Sequence, residues 1–134
     1  QINNSNLKLL IKKYNKNIKI FESHYTITNI DQFDINEKYL IFSGIGTPES
    51  FKDILIKNKF NIMKEIIFPD HYSYTQVDID NIKLQAKKLN TKILTTEKDY
   101  IKINSNNKNE IKFLKVEPEI INEKELINYL KKNI

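Results

Sequence analysis

The sequence predicts an α/β fold: a Rossmann-like three-layer sandwich, with a mostly parallel sheet of about four to five strands flanked by helices. Three observations lead there. Short continuous apolar runs alternate with longer amphipathic stretches along the chain. The connections between them are short, so successive strands need helical crossovers and lie parallel in a sheet covered on both faces. Finally, 134 residues of which 40% are hydrophobic amount to one domain, residues 1–134, able to support a single conventional core.

The elements follow in order. Residues 7–13 read as a short helix and Ile18-Lys19-Ile20-Phe21 as a strand, followed by an irregular polar segment through Glu37. Tyr39-Leu40-Ile41-Phe42-Ser43 is an unbroken apolar run stopped by Gly44-Ile45-Gly46, the pattern of a strand buried on both faces. Thr47 suits a helix N-cap and Pro48 the first helical position, and Phe51, Ile54 and Leu55 form the apolar stripe behind them. Residues 62–68 form the next strand, ended by Pro69, which has no backbone donor for a ladder.

Thr75 and Asp78 make a capping box for a helix whose inner face carries Ile79, Ile82, Ala86 and Leu89. Lys92-Ile93-Leu94-Thr95 is a short strand, and a fresh helix starts at Thr96-Glu97-Lys98-Asp99. Residues 104–110 read as a polar loop and 111–116 as the last strand. A closing helix over 123–132 turns Leu126, Ile127 and Leu130 inward. There is no internal repeat.

Composition narrows the function. The net charge is +5, but all 22 basic residues are Lys, whereas reading of bases and phosphates favours the bidentate guanidinium fork of Arg. With 24 Ile, 18 Asn and one Ala, the lysines fit an A/T-rich genome, and no nucleic-acid partner is expected. Zero cysteines exclude a disulfide framework, a thiolate metal site and a cysteine nucleophile, and fit a reducing compartment. No apolar run has the length of a membrane span and no signal-peptide pattern opens the chain. Because the sequence starts at Gln1 and not at Met, an upstream segment is expected.

In an open parallel sheet, ligand-facing loops leave the carboxyl ends of strands. Three such loops carry chemistry. In Ser43-Gly44-Ile45-Gly46-Thr47-Pro48-Glu49, Gly44 and Gly46 permit a tight turn and close backbone approach, with Gly46 the candidate for a positive φ. The helix behind offers free N–H groups to an anion, yet Glu49 stands where a dinucleotide fingerprint has its third glycine, so a plain strand-to-helix turn fits as well. In Phe68-Pro69-Asp70-His71-Tyr72-Ser73-Tyr74, a histidine beside an acid and two phenols can orient a carboxylate, relay a proton or bind a hydroxyl. It can equally be a loop histidine satisfied by its neighbours. In the third, Thr95, Thr96, Glu97, Lys98 and Asp99 could hold phosphate or metal, or Thr96 and Asp99 could simply cap a helix. His24 has no evident partner and reads as structural. The chain lacks a G-x-x-x-x-G-K-[ST] loop, a histidine pair at metal spacing and a G-x-S-x-G elbow, so it holds no complete catalytic set by itself.

Taken in order, F-S-G-I-G-x-P-E-S-F, F-P-D-H-Y-x-Y and L-T-T-E-K-D-Y resemble the carboxyl-terminal portion of the tetraacyldisaccharide 4'-kinases, the lipid A 4'-kinases, and the likeness runs over roughly residues 18–134. The resemblance implies half of a two-lobed P-loop kinase of Gram-negative bacteria. That enzyme moves the γ-phosphate of ATP to the 4'-hydroxyl of a tetraacyldisaccharide 1-phosphate, at the cytoplasmic face of the inner membrane, in lipid A and lipopolysaccharide biosynthesis. It implies that His71 is the dyad partner of an aspartate in an absent amino-terminal lobe, with Asp70 in support. Gly44, Gly46, Thr95, Thr96, Glu97, Lys98 and Asp99 would line the crevice or the lobe contact. ATP and Mg²⁺ would be held by the lobe with the P-loop, so neither a cofactor nor a metal is expected for this chain alone, nor activity. The other reading is an independent Rossmann-like binding or interaction module, the remnant of a split kinase gene.

Overall fold

A computed structural model describes residues 4–134. In chain order the elements are α1 (Asn4–Tyr14), β1 (Ser23–Ile27), a 3-10 turn (Ile30–Gln32), β2 (Lys38–Ser43), α2 (Pro48–Lys57), β3 (Asn61–Ile67) and α3 (Gln76–Leu89). Then follow β4 (Lys92–Thr96), α4 (Glu97–Ile101), a second 3-10 turn (Ser105–Glu110), β5 (Ile111–Leu114), β6 (Val116–Ile120) and α5 (Glu123–Asn133). The chain divides into two compact units, residues 27–117 and the two ends together, 1–26 with 118–134.

The central unit is built on a four-stranded sheet in the order β3-β2-β4-β5, with every pairing parallel. Side chains alternate across a strand, and β2 shows the result. Leu40 and Phe42 enter one cluster with Ile79, Ile82 and Ala86 of α3, plus Ile93, Ile103 and Ile111. Tyr39 and Ile41 enter the other with Phe51 and Leu55 of α2, plus Phe60, Leu94 and Leu114. The two clusters account for the continuous apolar reading of β2, which is buried on both faces between helical layers.

Caps follow the sequence closely at some helix ends and depart from it at others. The Thr75–Asp78 capping box is complete, with the Thr75 side chain accepting from Asp78 N and the Asp78 carboxylate accepting from Thr75 N. Thr47 occupies the N-cap of α2 without a side-chain cap, while its carbonyl accepts from Ser50 N. Lys59, with φ 63°, closes α2 in the left-handed conformation. Lys59 N donates to Ile56 O and Phe60 N to Leu55 O, a Schellman turn that sets Phe60 against Leu55 in the core.

Several expectations are corrected. Residues 18–21 form no strand; Phe21 instead stacks on Tyr129 at 5.5 Å and Lys19 pairs with Glu125. The pairing strand lies further on, in the segment that reads as irregular, where β1 joins β6 in a two-stranded ribbon. The expected strand over 111–116 is two strands, because the amide of Asn29 interrupts it. Asn29 donates to Phe113 O and accepts from Lys115 N, standing in for a neighbouring strand at the point where the chain leaves the sheet. Residues 105–110 form a 3-10 turn and not an open loop. Leu89, Ile127 and Leu130 are exposed, and Leu126 is only half-buried.

A glycine at position 59 carries no Cβ penalty in the left-handed region. Lys59→Gly is expected to raise stability by about 0.5–1 kcal/mol, read as a higher denaturant midpoint with unchanged slope.

Candidate functional site

The loops after β2, β3 and β4 meet at the carboxyl end of the sheet. Their junction is Asp99, which is 0% exposed. One carboxylate oxygen accepts from Gly44 N at 2.9 Å and from the Thr96 hydroxyl at 2.8 Å, and the other from Lys102 Nζ at 3.0 Å. Burial would raise its pKa, but those three donors hold it below the ordinary carboxylate value. Asp99 N in turn donates to Thr96 Oγ1, so the Thr96 hydroxyl caps α4 while the Asp99 carboxylate ties that helix to the β2 loop. Thr95 is also fully buried, and its hydroxyl donates to Phe42 O at 2.7 Å. These two members of the β4 loop face inward, whereas Thr96, Glu97 and Lys98 reach the surface.

Neither glycine has a positive φ, which corrects the expectation for Gly46. Both positions are dictated by space. A Cβ on Gly44 would lie 3.0 Å from the Tyr74 hydroxyl and 3.1 Å from Pro69 O, and one on Gly46 would lie 3.2 Å from a carboxylate oxygen of Asp70. Phe68 N donates to Ser43 O at 2.8 Å, closing the second loop onto the first.

That second loop stands on an aromatic cluster. The Phe68 ring lies 4.8 Å from Tyr72 and 5.1 Å from Tyr74, and Tyr74 lies 5.4 Å from Phe42 beneath it. The Tyr72 hydroxyl donates to Asp78, and that bond raises its pKa. The Tyr74 hydroxyl is buried beside Asp99, and burial first, then the Asp99 charge, push its pKa up. The two phenols are therefore fixed packing posts, one bonded to Asp78 and the other buried beside Asp99.

On these posts sits His71, in the left-handed region at φ 59° with its side chain 77% exposed. For a non-glycine residue that backbone costs on the order of 1–3 kcal/mol and is held by its surroundings. Asp70 Oδ1 accepts from His71 N at 2.9 Å, and Tyr72 N donates to Pro69 O across the turn. Asp70 Oδ2 lies 3.6 Å from His71 Nε2, and Lys98 Nζ lies 3.4 Å from Asp70 Oδ1. Against a partial loss of solvation, the His71 backbone, the His71 ring and Lys98 lower the Asp70 pKa. His71, Asp70, Gly46 and Lys98 thus form one exposed group on three loops.

His24 lies elsewhere, 3.5 Å from Glu119 in the ribbon. A recess of about 330 Å³ lined by Asp31, Phe33, Tyr39, Lys92 and Lys112 opens at the amino ends of the strands, away from His71. Among the described residues no group of three or more His, Cys, Asp or Glu could hold a metal ion, and no helix is long and apolar enough to cross a membrane. Sequence reasoning missed the role of Asp99 as a junction. Its signal was the capping spacing from Thr96, which could not reveal that the acid also receives the Gly44 N–H from a distant loop.

A four-stranded parallel sheet flanked by helices, with charged loops gathered at one end, defines a fold of the Rossmann-like α/β class. Within that class the chain belongs to the tetraacyldisaccharide-1-P 4'-kinase family, whose sequence profile matches residues 4–134. It is 45% identical over 124 residues to the tetraacyldisaccharide 4'-kinase of Pelagibacter ubique strain HTCC1062, covering 92% of this chain and 40% of that one. To the corresponding kinase of Rickettsia peacockii strain Rustic it is 42% identical, covering 87% of this chain and 36% of that one. The chain therefore spans well under half the length of these curated relatives. The fold is similar to a crystal structure of the apo form of LpxK from Aquifex aeolicus in complex with ATP. The TM-score is 0.56 and the identity 18%, over 90% of this chain and 40% of that one.

Three substitutions probe this geometry. Because the Asp99 pKa is lowered by folding, its contribution to stability is present above the unfolded value near ~3.9 and is lost as pH falls through the folded value. Asp99→Asn should cost about 1–3 kcal/mol at pH 7 and flatten the acid limb of unfolding midpoint against pH. Gly44→Ala meets a backbone oxygen and should cost about 1–3 kcal/mol in circular-dichroism melts. Gly46→Ala meets only the end of an exposed side chain and should cost less than half as much.

Proposed function

We propose that this chain is the carboxyl-terminal lobe of a longer kinase that transfers the γ-phosphate of ATP to the 4'-hydroxyl of a tetraacyldisaccharide 1-phosphate in lipid A biosynthesis. Family membership supports the reaction class, and the names of the relatives supply the substrate. The observation that carries a role for this chain is His71, an exposed imidazole on a strained, multiply tethered turn at the carboxyl end of the sheet.

In this reading the P-loop, the Mg²⁺ ligands and an acidic base stand on the other lobe, where ATP and Mg²⁺ bind. The acceptor oxygen attacks the γ-phosphorus, the bond from that phosphorus to the ADP oxygen breaks, and the hydroxyl proton passes to the aspartate of that lobe. His71 donates a hydrogen bond to this aspartate and holds it on the line of attack, a positioning task of the kind phosphoryl transfer depends on. Asp70 fixes the His71 backbone, Lys98 holds Asp70, and Gly46 leaves room for its carboxylate. Gly44, Thr95 and Asp99 act beneath the surface as supports, leaving Gly46, Thr96, Glu97 and Lys98 to line the crevice or touch the other lobe. The enzyme works as a peripheral protein on the cytoplasmic face of the inner membrane, and this lobe alone is inactive.

In the full-length enzyme, His71→Ala is expected to lower turnover by about 100-fold or more. His71→Gly should lose as much turnover while matching or exceeding the wild-type unfolding midpoint, since glycine removes the left-handed strain. Near-normal turnover in either variant would take His71 out of the mechanism. ATP hydrolysis by this chain alone would overturn the division between lobes.

A further inference from the structure

A neutral imidazole carries one N–H, and the acceptor that takes it decides what the ring can do for any other group. For His71 the nearest acceptor is its own neighbour. Asp70 Oδ2 lies 3.6 Å from His71 Nε2, just beyond hydrogen-bond reach. That oxygen faces Gly46, where a Cβ would come within 3.2 Å of it, and among the described residues it accepts no hydrogen bond. Rotation about the terminal bond of an aspartate is soft, so a small turn of the carboxylate would bring Oδ2 onto Nε2.

What resists that turn sits on the other oxygen. Asp70 Oδ1 accepts from His71 N at 2.9 Å and from Lys98 Nζ at 3.4 Å. The first donor belongs to the same turn and moves with it. The second comes from α4, and α4 is anchored: the residue after Lys98 is Asp99, whose buried carboxylate accepts from Gly44 N. The Lys98 and Asp70 side chains are 48% and 43% exposed, and an ion pair so open to water adds little to stability. Its effect is on the direction of the carboxylate.

We infer that Lys98 is a positioning residue for His71: it holds the Asp70 carboxylate on the His71 backbone and so keeps it from capturing the imidazole N–H. The inference rests on the reading of His71 as the hydrogen-bond donor to an aspartate of the other lobe. It adds that Asp70 is a support of the turn and also a rival of that aspartate, and that Lys98 decides between the two. If Oδ2 took the N–H, the remaining ring nitrogen would present a lone pair, which a carboxylate repels.

Steady-state kinetics of the full-length enzyme and ring NMR of the 134-residue chain test this together. Lys98→Ala is expected to lower kcat about 10-fold with little change in KM, and Lys98→Arg to recover most of the loss. Adding Asp70→Asn to Lys98→Ala should restore turnover relative to Lys98→Ala, because a neutral amide competes weakly for the N–H. In the 134-residue chain, His24→Ala leaves His71 as the one histidine, so ring nitrogen spectra report it without overlap. There Lys98→Ala should slow exchange of the ring N–H with water by about 10-fold, and Asp70→Asn should abolish the slowing. Full turnover in Lys98→Ala would overturn the inference, as would unchanged ring exchange. So would a loss of turnover that Asp70→Asn does not relieve, which means that the lysine meets phosphate or the other lobe directly. A full-length protein without kinase activity would refute the kinase reading, and ring exchange would still decide whether Lys98 keeps Asp70 off His71.

Discussion

Everything at the carboxyl end of the sheet depends on one buried negative charge. Isolated in the interior, the carboxylate of Asp99 would be costly, and its cost is offset by donors from three directions: the backbone of Gly44, the hydroxyl of Thr96 and the ammonium of Lys102. That requirement locks the β2 loop to the start of α4. Once Gly44 is held there, a side chain on it crowds the β3 loop, which closes over it through Pro69 and Tyr74. Loss of the charge would free the β2 turn and α4 together.

The β3 loop adds a different kind of stiffness. Four rings, Phe42, Phe68, Tyr72 and Tyr74, pack edge to face or tilted between the sheet and the turn. Their hydroxyls are either bonded, as Tyr72 is to Asp78, or buried, as Tyr74 is beside Asp99. The backbone at His71 can then be held in a region that histidine seldom adopts. The site pairs rigid, water-excluding supports with a single exposed imidazole, the arrangement in which a side chain is aimed before its partner arrives.

Much of this was legible in residues and some was not. The unbroken apolar run at 39–43 announced a strand buried on both faces, and the Thr75–Asp78 spacing announced its capping box, because both signals are local. The three loops were readable as a group because a parallel sheet brings the ends of its strands together. The ribbon was not readable, since β1 (Ser23–Ile27) is paired by β6 (Val116–Ile120), far along the chain. Nor did anything in the order of residues around 113–116 show that Asn29 would end the sheet there. The close approach read at the glycines holds, with Pro69 O against Gly44, whereas the positive φ expected of Gly46 does not: among the described residues the left-handed positions are Lys59, His71, Asn90 and Asn122.

The ribbon also fixes an order of events. Residues 27–117 enter and leave the sheet side by side, with Thr28 N donating to Lys115 O at 3.0 Å. During synthesis this stretch can collapse on its own core as soon as β5 has emerged, since every strand of its sheet is then present. The unit of the two ends must wait for β6 and α5, which follow β5 in the chain. Loss of β6 and α5 would therefore leave a folded sheet with its loops in place and β1 without the strand that pairs with it.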